Sequence, residues 1–328
     1  MHPVKYSTRL NSFALGKGKK LPTGDEPVLD LIATAGTVPG LTSLELNYPE
    51  HFSRDSVEEI KAAVARAGLD VPAIQLRWPS PRFADGAFTN ADPEIRAEAV
   101  RMVTEAMDLC ADFGADHVLL WPAHDGYEYP LQMDYTKSWA WMVESLRAVA
   151  DHDPAIRVSI EYKPADPRGR TILNTTGAVM NLVNDCGRDN VGVTLDFGHL
   201  LMARENPAQS AAMCLQSGKL FGLQLNDSHG VADDGLMVGS IHLSETIELA
   251  YYLVREGYAG TYYFDTDPVR ENPVEECGMN ISRMGAIIDM ARSLVRDHPD
   301  LPTGHALEST PILWGTVMGE KWNTAVSA

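Results

Sequence analysis

Four apolar runs in the second half of this sequence each end on an oxygen-bearing side chain: Ser-Ile-Glu161, Thr-Leu-Asp196, Gly-Leu-Gln224 and Tyr-Phe-Asp265. A buried strand that closes with a carboxylate must bring it to water, a counter-charge or a metal, because an unpaired buried charge is too costly. Several oxygen ligands with little nitrogen suit hard cations such as Mg2+ or Mn2+, whereas zinc favours more histidine or cysteine. Each residue has a plainer role open to it: Glu161 as surface partner of Lys163, Asp196 as cap of the helix that carries His199, Asp265 as a simple strand end. Three such carboxylates at successive strand ends favour a shared cation. Lys163 follows Glu161 by two residues and so shares its face of the strand.

Eight strand-length runs can be read, near 6–11, 42–47, 72–77, 117–121, 157–162, 191–196, 220–225 and 261–265. Between them lie segments with apolar residues at spacings of three and four: 54–67, 92–113, 137–151, 173–186, 207–216, 243–256 and 277–294. In 92–113, Ile95, Ala99, Met102, Val103, Met107 and Cys110 form one face, as an outer packed helix requires. Strand and helix in alternation predict a parallel α/β sheet, and eight units without a break in composition predict one closed (β/α)8 TIM barrel over residues 1–298. In that fold the C-terminal strand ends build the active site. The C-terminal extension 299–328, with Pro302, Gly304, Pro311 and Gly315, shows no clear periodicity and is a candidate to wrap a neighbouring subunit.

Of the 328 residues, 45% are hydrophobic and 22% charged, which is globular, and no apolar stretch reaches membrane-helix length. A formal net charge of -18 repels phosphate backbones and attracts divalent cations, so nucleic acid is excluded as a partner. The start Met1-His-Pro-Val-Lys-Tyr lacks a secretory pattern, and the expected compartment is the cytoplasm. Cys110, Cys186, Cys214 and Cys277 have no metal or redox spacing and read as small buried hydrophobes.

The run Glu161-x-Lys-Pro-x-Asp-Pro-Arg-Gly169, the Asp196/His199 spacing, Ser-Gly-Lys-Leu-Phe at 217–221, Gly-Ala-Phe-Thr at 86–89 and Phe-Asp at 264–265 together resemble the xylose isomerase family, across roughly residues 40–295. The resemblance implies a barrel, one or two divalent ions per subunit (Mg2+ or Mn2+, with Co2+ a further candidate), a homo-oligomer (dimer or tetramer) and a free, non-phosphorylated sugar converted between aldose and ketose by a 1,2-hydride shift. Carried over residue by residue, Glu161, Asp196, Gln224 and Asp265 bind the first metal and Asp196 bridges to a second held by His199 and Asp233, with Asp227 or Asp234 as further candidates. Lys163 donates to the carbonyl oxygen of the open-chain sugar, and Asn47, Trp121, His199 and Lys163 contact substrate. Trp121 and Trp78 could wall the pocket against sugar C–H faces, a core role for Trp78 being equally open.

This chain also departs from the pattern. Asn47 stands for the ring-opening histidine, Gln224 for a carboxylate ligand, Gly235 for a second-metal aspartate and Asp267 for a lysine. Gln224 can still ligate through its carbonyl oxygen, and the loss at Gly235 leaves a single firmly bound metal as one outcome. Two other functions compete: a ketose epimerase in which one metal and the carboxylates of Glu161 and Asp265 relay a proton, and a non-catalytic sugar-binding protein.

Overall fold

The computed structural model describes residues 3–15, 27–79 and 81–319. In chain order the strands are β1 (Tyr6–Thr8), β2 (Leu46–Tyr48), β3 (Ile74–Leu76), β4 (His117–Leu120), β5 (Gly126–Tyr127), β6 (Arg157–Glu161), β7 (Arg170–Thr171), β8 (Val191–Asp196), β9 (Leu220–Leu225) and β10 (Tyr262–Phe264). Eight of them form one all-parallel sheet ordered β1-β10-β9-β8-β6-β4-β3-β2. Its two edges meet: the amide of Glu45 donates to the carbonyl of Thr8 at 3.4 Å, those of Thr42 and Ser43 to that of Tyr6 at 3.1 Å, and Arg9 bridges to Glu45 in parallel. The sheet is therefore a closed (β/α)8 barrel, and β5 and β7 form a separate antiparallel ribbon beside it.

Helices α1 (Val28–Ala35), α2 (Val57–Ala67), α3 (Pro93–Phe113), α4 (Tyr135–His152), α5 (Thr176–Cys186), α6 (Phe197–Met202), α7 (Pro207–Gln216), α8 (Leu243–Arg255), α9 (Pro273–Asp297) and α10 (Ala306–Met318) complete the chain. Outward strand residues such as Val158, Ile160, Val193, Leu195, Leu223 and Leu225 are buried under the helices, which is why these strands read as apolar runs. The four cysteines are free and buried. Among the described residues no helix is long and apolar enough to cross a membrane.

The structure shortens the first expected strand from 6–11 to Tyr6–Thr8, because the chain turns into a 3-10 helix, Leu10–Ala14, immediately after Arg9. It adds helices α1 and α6 that the periodicity did not indicate, and it forms α10 in the tail despite Pro311 within it. No residue of α10 is fully buried; Ile312, Leu313 and Val317 only rest partly covered against the core, too few for a clear stripe.

Inside the barrel, residues in the inward phase form a polar stack. Ser159 lies 2.6 Å from both His117 and Thr194, and Gln75 donates to Glu45 at 2.9 Å. A cavity of about 970 Å3 opens at the N-terminal end of the barrel, lined by Lys5, Glu45, Asp70, His117 and Arg157, and it reaches Gln224. The next inward layer, toward the C-terminal mouth, carries the candidate site residues.

Candidate functional site

Register decides which side chains meet. Asp196 on β8 stands opposite Gln224 on β9, and β6 lies on the other side of β8 with Glu161 opposite Thr194. Gly222 makes the close β8–β9 approach possible, since a Cβ there would sit 2.3 Å from the Thr194 hydroxyl. Asp265 follows β10 and its amide donates to the carbonyl of Leu225 at 3.1 Å. Four neighbouring strands thus deliver Glu161, Asp196, Gln224 and Asp265 to one mouth, the first three buried.

Asp196 is both strand end and helix cap. Its Oδ1 accepts the amide of His199 at 2.9 Å, starting α6, and this aims the imidazole back over the strand end. His199 Nδ1 then lies 3.3 Å from Glu161 Oε1 and 3.8 Å from Asp196 Oδ1. Ligand atoms of Glu161, Asp196 and His199 all fall within 4.8 Å of one another. Asp233 sits 3.2 Å from the other ring nitrogen, Nε2, which leaves Nδ1 as the nitrogen facing the carboxylates. Asn226 holds Asp196 from the far side, donating from Nδ2 to Oδ2 at 3.1 Å while its Oδ1 accepts the Gly198 amide at 2.8 Å.

The residues present fit a cation. Both side-chain polar atoms of Gln224, Oδ1 of Asp265 and Nδ1 of His199 are buried without a hydrogen-bond partner among the described residues, an arrangement that costs free energy unless something else occupies it. Burial pushes the Glu161 carboxyl up to about 8 and that of Asp196 up to about 6, with His199 pulling both down. Burial disfavours the imidazolium of His199, but Asp196, Asp233 and Glu161 together push it up to about 10. A cluster that leans this heavily on one histidine for positive charge is short of a cation, and a divalent ion would reverse the balance.

A second cation does not fit in the same way. Asp233 is taken up by His199 and by Lys163, whose Nζ lies 3.1 Å away, and these partners hold its carboxyl well below the usual range against the effect of burial. Gly235 has φ +58°, and a Cβ there would meet the backbone nitrogen of Asp267 at 2.8 Å. Asp227 accepts the amides of Ile241 and His242 and pairs with the His242 ring at 2.8 Å, and Asp234 accepts the amide of His229 at 2.7 Å. Both acids are engaged in shaping the loop after β9.

Lys163 is nearly sealed, and its ammonium bonds Asp166 at 2.8 Å as well as Asp233. Burial opposes its charge, yet Asp233 and Asp166 raise its pKa above the ordinary value. The rest of its motif ties down the loop: Arg168 donates to the carbonyl of His124 at 3.2 Å and to Glu128 at 3.0 Å, and β7 pairs with β5. Trp121 follows β4 with its ring 5.7 Å from the Lys163 ammonium and 5.1 Å from the Arg77 guanidinium, and its Nε1 donor has no partner among the described residues. Trp78 belongs to the core, edge-on to Phe88 and donating to Ala99. Asn47 does not point its amide at the carboxylate cluster; it donates to Glu50 at 3.0 Å, while its backbone amide donates to His51 Nδ1.

Three contributors were missed in the sequence: Arg9, Arg77 and Asn226. Arg9 bonds Asp267 at 2.6 Å and approaches Asp265 to 3.5 Å, so a cation from β1 faces the acid that replaces the family's lysine. Each of the three lies two residues beyond an inward-facing position (Ser7, Gln75 and Gln224), and counting by two along the strands was the available signal.

Residues 32–276 match the family described as Xylose isomerase-like TIM barrel. The chain is 34% identical to a xylose isomerase of Thermus thermophilus over 226 residues, and 33% identical to that of Thermus caldophilus over the same length, in each case covering 67% of this chain. It spans 58% of the length of these relatives. Among solved structures it resembles an L-ribulose 3-epimerase, with TM-score 0.70, 17% identity and coverage of 90% of this chain and 97% of that one. It likewise resembles a D-psicose 3-epimerase from Clostridium cellulolyticum H10, with TM-score 0.65, 16% identity and coverage of 87% and 99%. At such identities the solved structures show the shared fold, while the sequence match and the strand-end geometry agree that the chain belongs to the xylose isomerase-like TIM barrel family.

Proposed function

We propose that the chain is a divalent-metal-dependent aldose-ketose isomerase acting on a free, non-phosphorylated sugar. The observation that carries this reading is the set of buried, unpartnered ligand atoms at consecutive strand ends. Glu161, Asp196, Gln224 and Asp265, with His199 Nδ1 beside them, would hold one Mg2+ or Mn2+. When bound, such an ion polarises a carbonyl and acidifies the neighbouring hydroxyl. Asp233 keeps the His199 ring oriented, and Asn226 keeps Asp196 turned to the mouth.

In the forward direction the hydrogen on C2 of the aldose moves with its electron pair to C1, the proton leaves the C2 hydroxyl, and O1 gains one. Lys163 would donate a hydrogen bond to O1 as negative charge develops there. Its ammonium is fixed for this by Asp166 and Asp233 and walled by Trp121. Trp121 would also cover a C–H face of the sugar and exclude water.

A second reading has its own observation. Gly235 and the engaged Asp233 leave one cation site, and a one-metal site flanked by Glu161 and Asp265 suits ketose epimerisation by proton relay. Turnover in deuterated water separates the two. A product free of solvent deuterium at carbon supports the hydride shift; stoichiometric incorporation at the reacting carbon selects the epimerase. Sugar binding without turnover in the presence of Mn2+ would overturn both.

A further inference from the structure

Arg77 follows β3 in the inward phase set by Gln75, on the part of the mouth facing the metal-ligating strands. Its guanidinium lies over the Trp121 ring at 5.1 Å. Its Nε is buried without a partner, and none of its side-chain donors has a hydrogen bond or ion pair among the described residues. Five donors in a fixed plane are left unused at the entrance to a polar site.

Neighbouring acids do not explain it. Glu50 accepts Asn11 at 2.9 Å and Asn47 at 3.0 Å, and Glu161 is faced by His199 at 3.3 Å. The Arg77 charge is felt by Glu161 and Glu50, where it works against the effect of burial, but it closes on neither. Arg9, the comparable cation after β1, is by contrast committed to Asp267 and Asp265.

We propose that Arg77, backed by Trp121, is a subsite for a carboxylate carried by the sugar, which makes the substrate class a sugar acid. The inference deepens the isomerase reading and rests on it for the position of the reacting carbons at the metal-ligating strands. A guanidinium fork matches a planar carboxylate with two parallel hydrogen bonds, and the aromatic face beneath keeps the fork flat. A single planar charge also suits the surroundings better than a phosphate dianion, because Glu50 and Glu161 lie close by in a protein of net charge -18.

The test is binding, so it does not depend on turnover. Calorimetry on the full chain, with and without Mn2+, compares a five- or six-carbon aldonate, the matching alditol and the matching sugar phosphate in the parent, Arg77→Gln and Arg77→Lys proteins. The expected result is roughly 10- to 100-fold tighter binding of aldonate than alditol in the parent, as for a charge-assisted pair. That preference vanishes in Arg77→Gln and is partly restored in Arg77→Lys, with Mn2+ still bound and circular dichroism unchanged in both variants. No preference in the parent, a preference that survives in Arg77→Gln, or Arg77-dependent binding of the phosphate in place of the aldonate overturns the proposal. Arg77-dependent aldonate binding without turnover of any sugar would sink the isomerase reading and leave the subsite standing; turnover of sugars with no aldonate preference does the reverse.

Discussion

The mouth of the barrel divides into two unlike halves. Strands β6, β8, β9 and β10 bring Glu161, Asp196, Gln224 and Asp265 to the mouth, where Asn226, His199, Asp233 and Lys163 are cross-bonded around them while both polar atoms of Gln224 and Oδ1 of Asp265 are left without a hydrogen-bond partner among the described residues. Strands β1, β2, β3 and β4 lead to Arg9, Asn47, Arg77 and Trp121, where the contacts are sparser and two arginines replace the carboxylates. The first half carries most of the family's motifs and three of the four departures from them, Gln224, Gly235 and Asp267; the second adds Asn47 and the two arginines. The halves are joined by the β4–β6 and β1–β10 pairings, by the β5–β7 ribbon, by Trp121 beside Lys163 and by Arg9 against Asp265 and Asp267, so a change made in one reaches the other through these contacts.

The largest effect expected from disturbing the first half is metal removal. Chelation should abolish turnover, a loss on the order of 10³-fold or more for removing a Lewis acid, with return on adding Mn2+ or Mg2+. Asp196→Asn should weaken Mn2+ binding in calorimetry far more than Asp166→Asn; equal effects would mean that Asp196 is a cap and nothing else. Next in size is Lys163→Met, expected to cut kcat by about 10²-fold as for loss of an oxyanion donor while Mn2+ affinity stays near the parent value. Lost metal affinity with kcat recovered at high Mn2+ would make Lys163 a mere counter-charge to Asp233.

Arg9 probes the seam between the halves. Arg9→Gln should reduce Mn2+ affinity by roughly 10- to 100-fold, the size typical of partners that orient a ligand, because Asp265 loses the side chain that holds it in place, an effect that must outweigh the removal of a positive charge beside the cation. An unchanged affinity would separate β1 from the metal site. The smallest effect belongs to Gly235→Asp, which restores the family's residue at a position that cannot accept it. A positive φ and the Asp267 backbone predict about 1–3 kcal/mol of destabilisation by chemical denaturation, with one Mn2+ bound per chain as before. Uptake of a second ion would show that the loop can open to admit it.

The halves were not equally legible. Glu161, Asp196 and Asp265 announce themselves because a carboxylate closing an apolar run is costly and short-range, visible within six residues. Gly235 and Asp267 look like two separate departures, yet in space they are one: the Asp267 amide donates to the Gly235 carbonyl at 2.8 Å, and its backbone fills the volume a side chain at 235 would need. No local pattern contains that contact. Arg9 was hidden inside the strand expected over 6–11, whereas the observed strand stops one residue before it, and Arg77 belongs to no motif. Helix α6 was hidden by its six residues, too few for a repeat, although the cap that starts it stood in the Asp196/His199 spacing.

The β5–β7 ribbon has a consequence for anyone who would re-engineer this mouth. Barrel loops are usually exchanged one at a time, since each hangs from its own strand. Here the loop after β4 and the loop after β6 are stitched together by Gly126 against Thr171, by Tyr127 against Arg170, and by Arg168 reaching the His124 carbonyl. Gly126 leaves no space at the stitch, since a Cβ there would fall 2.2 Å from the Arg170 carbonyl oxygen. The two segments are a single replaceable part, and a graft that swaps one without the other cuts the seam that keeps Trp121 and Lys163 face to face.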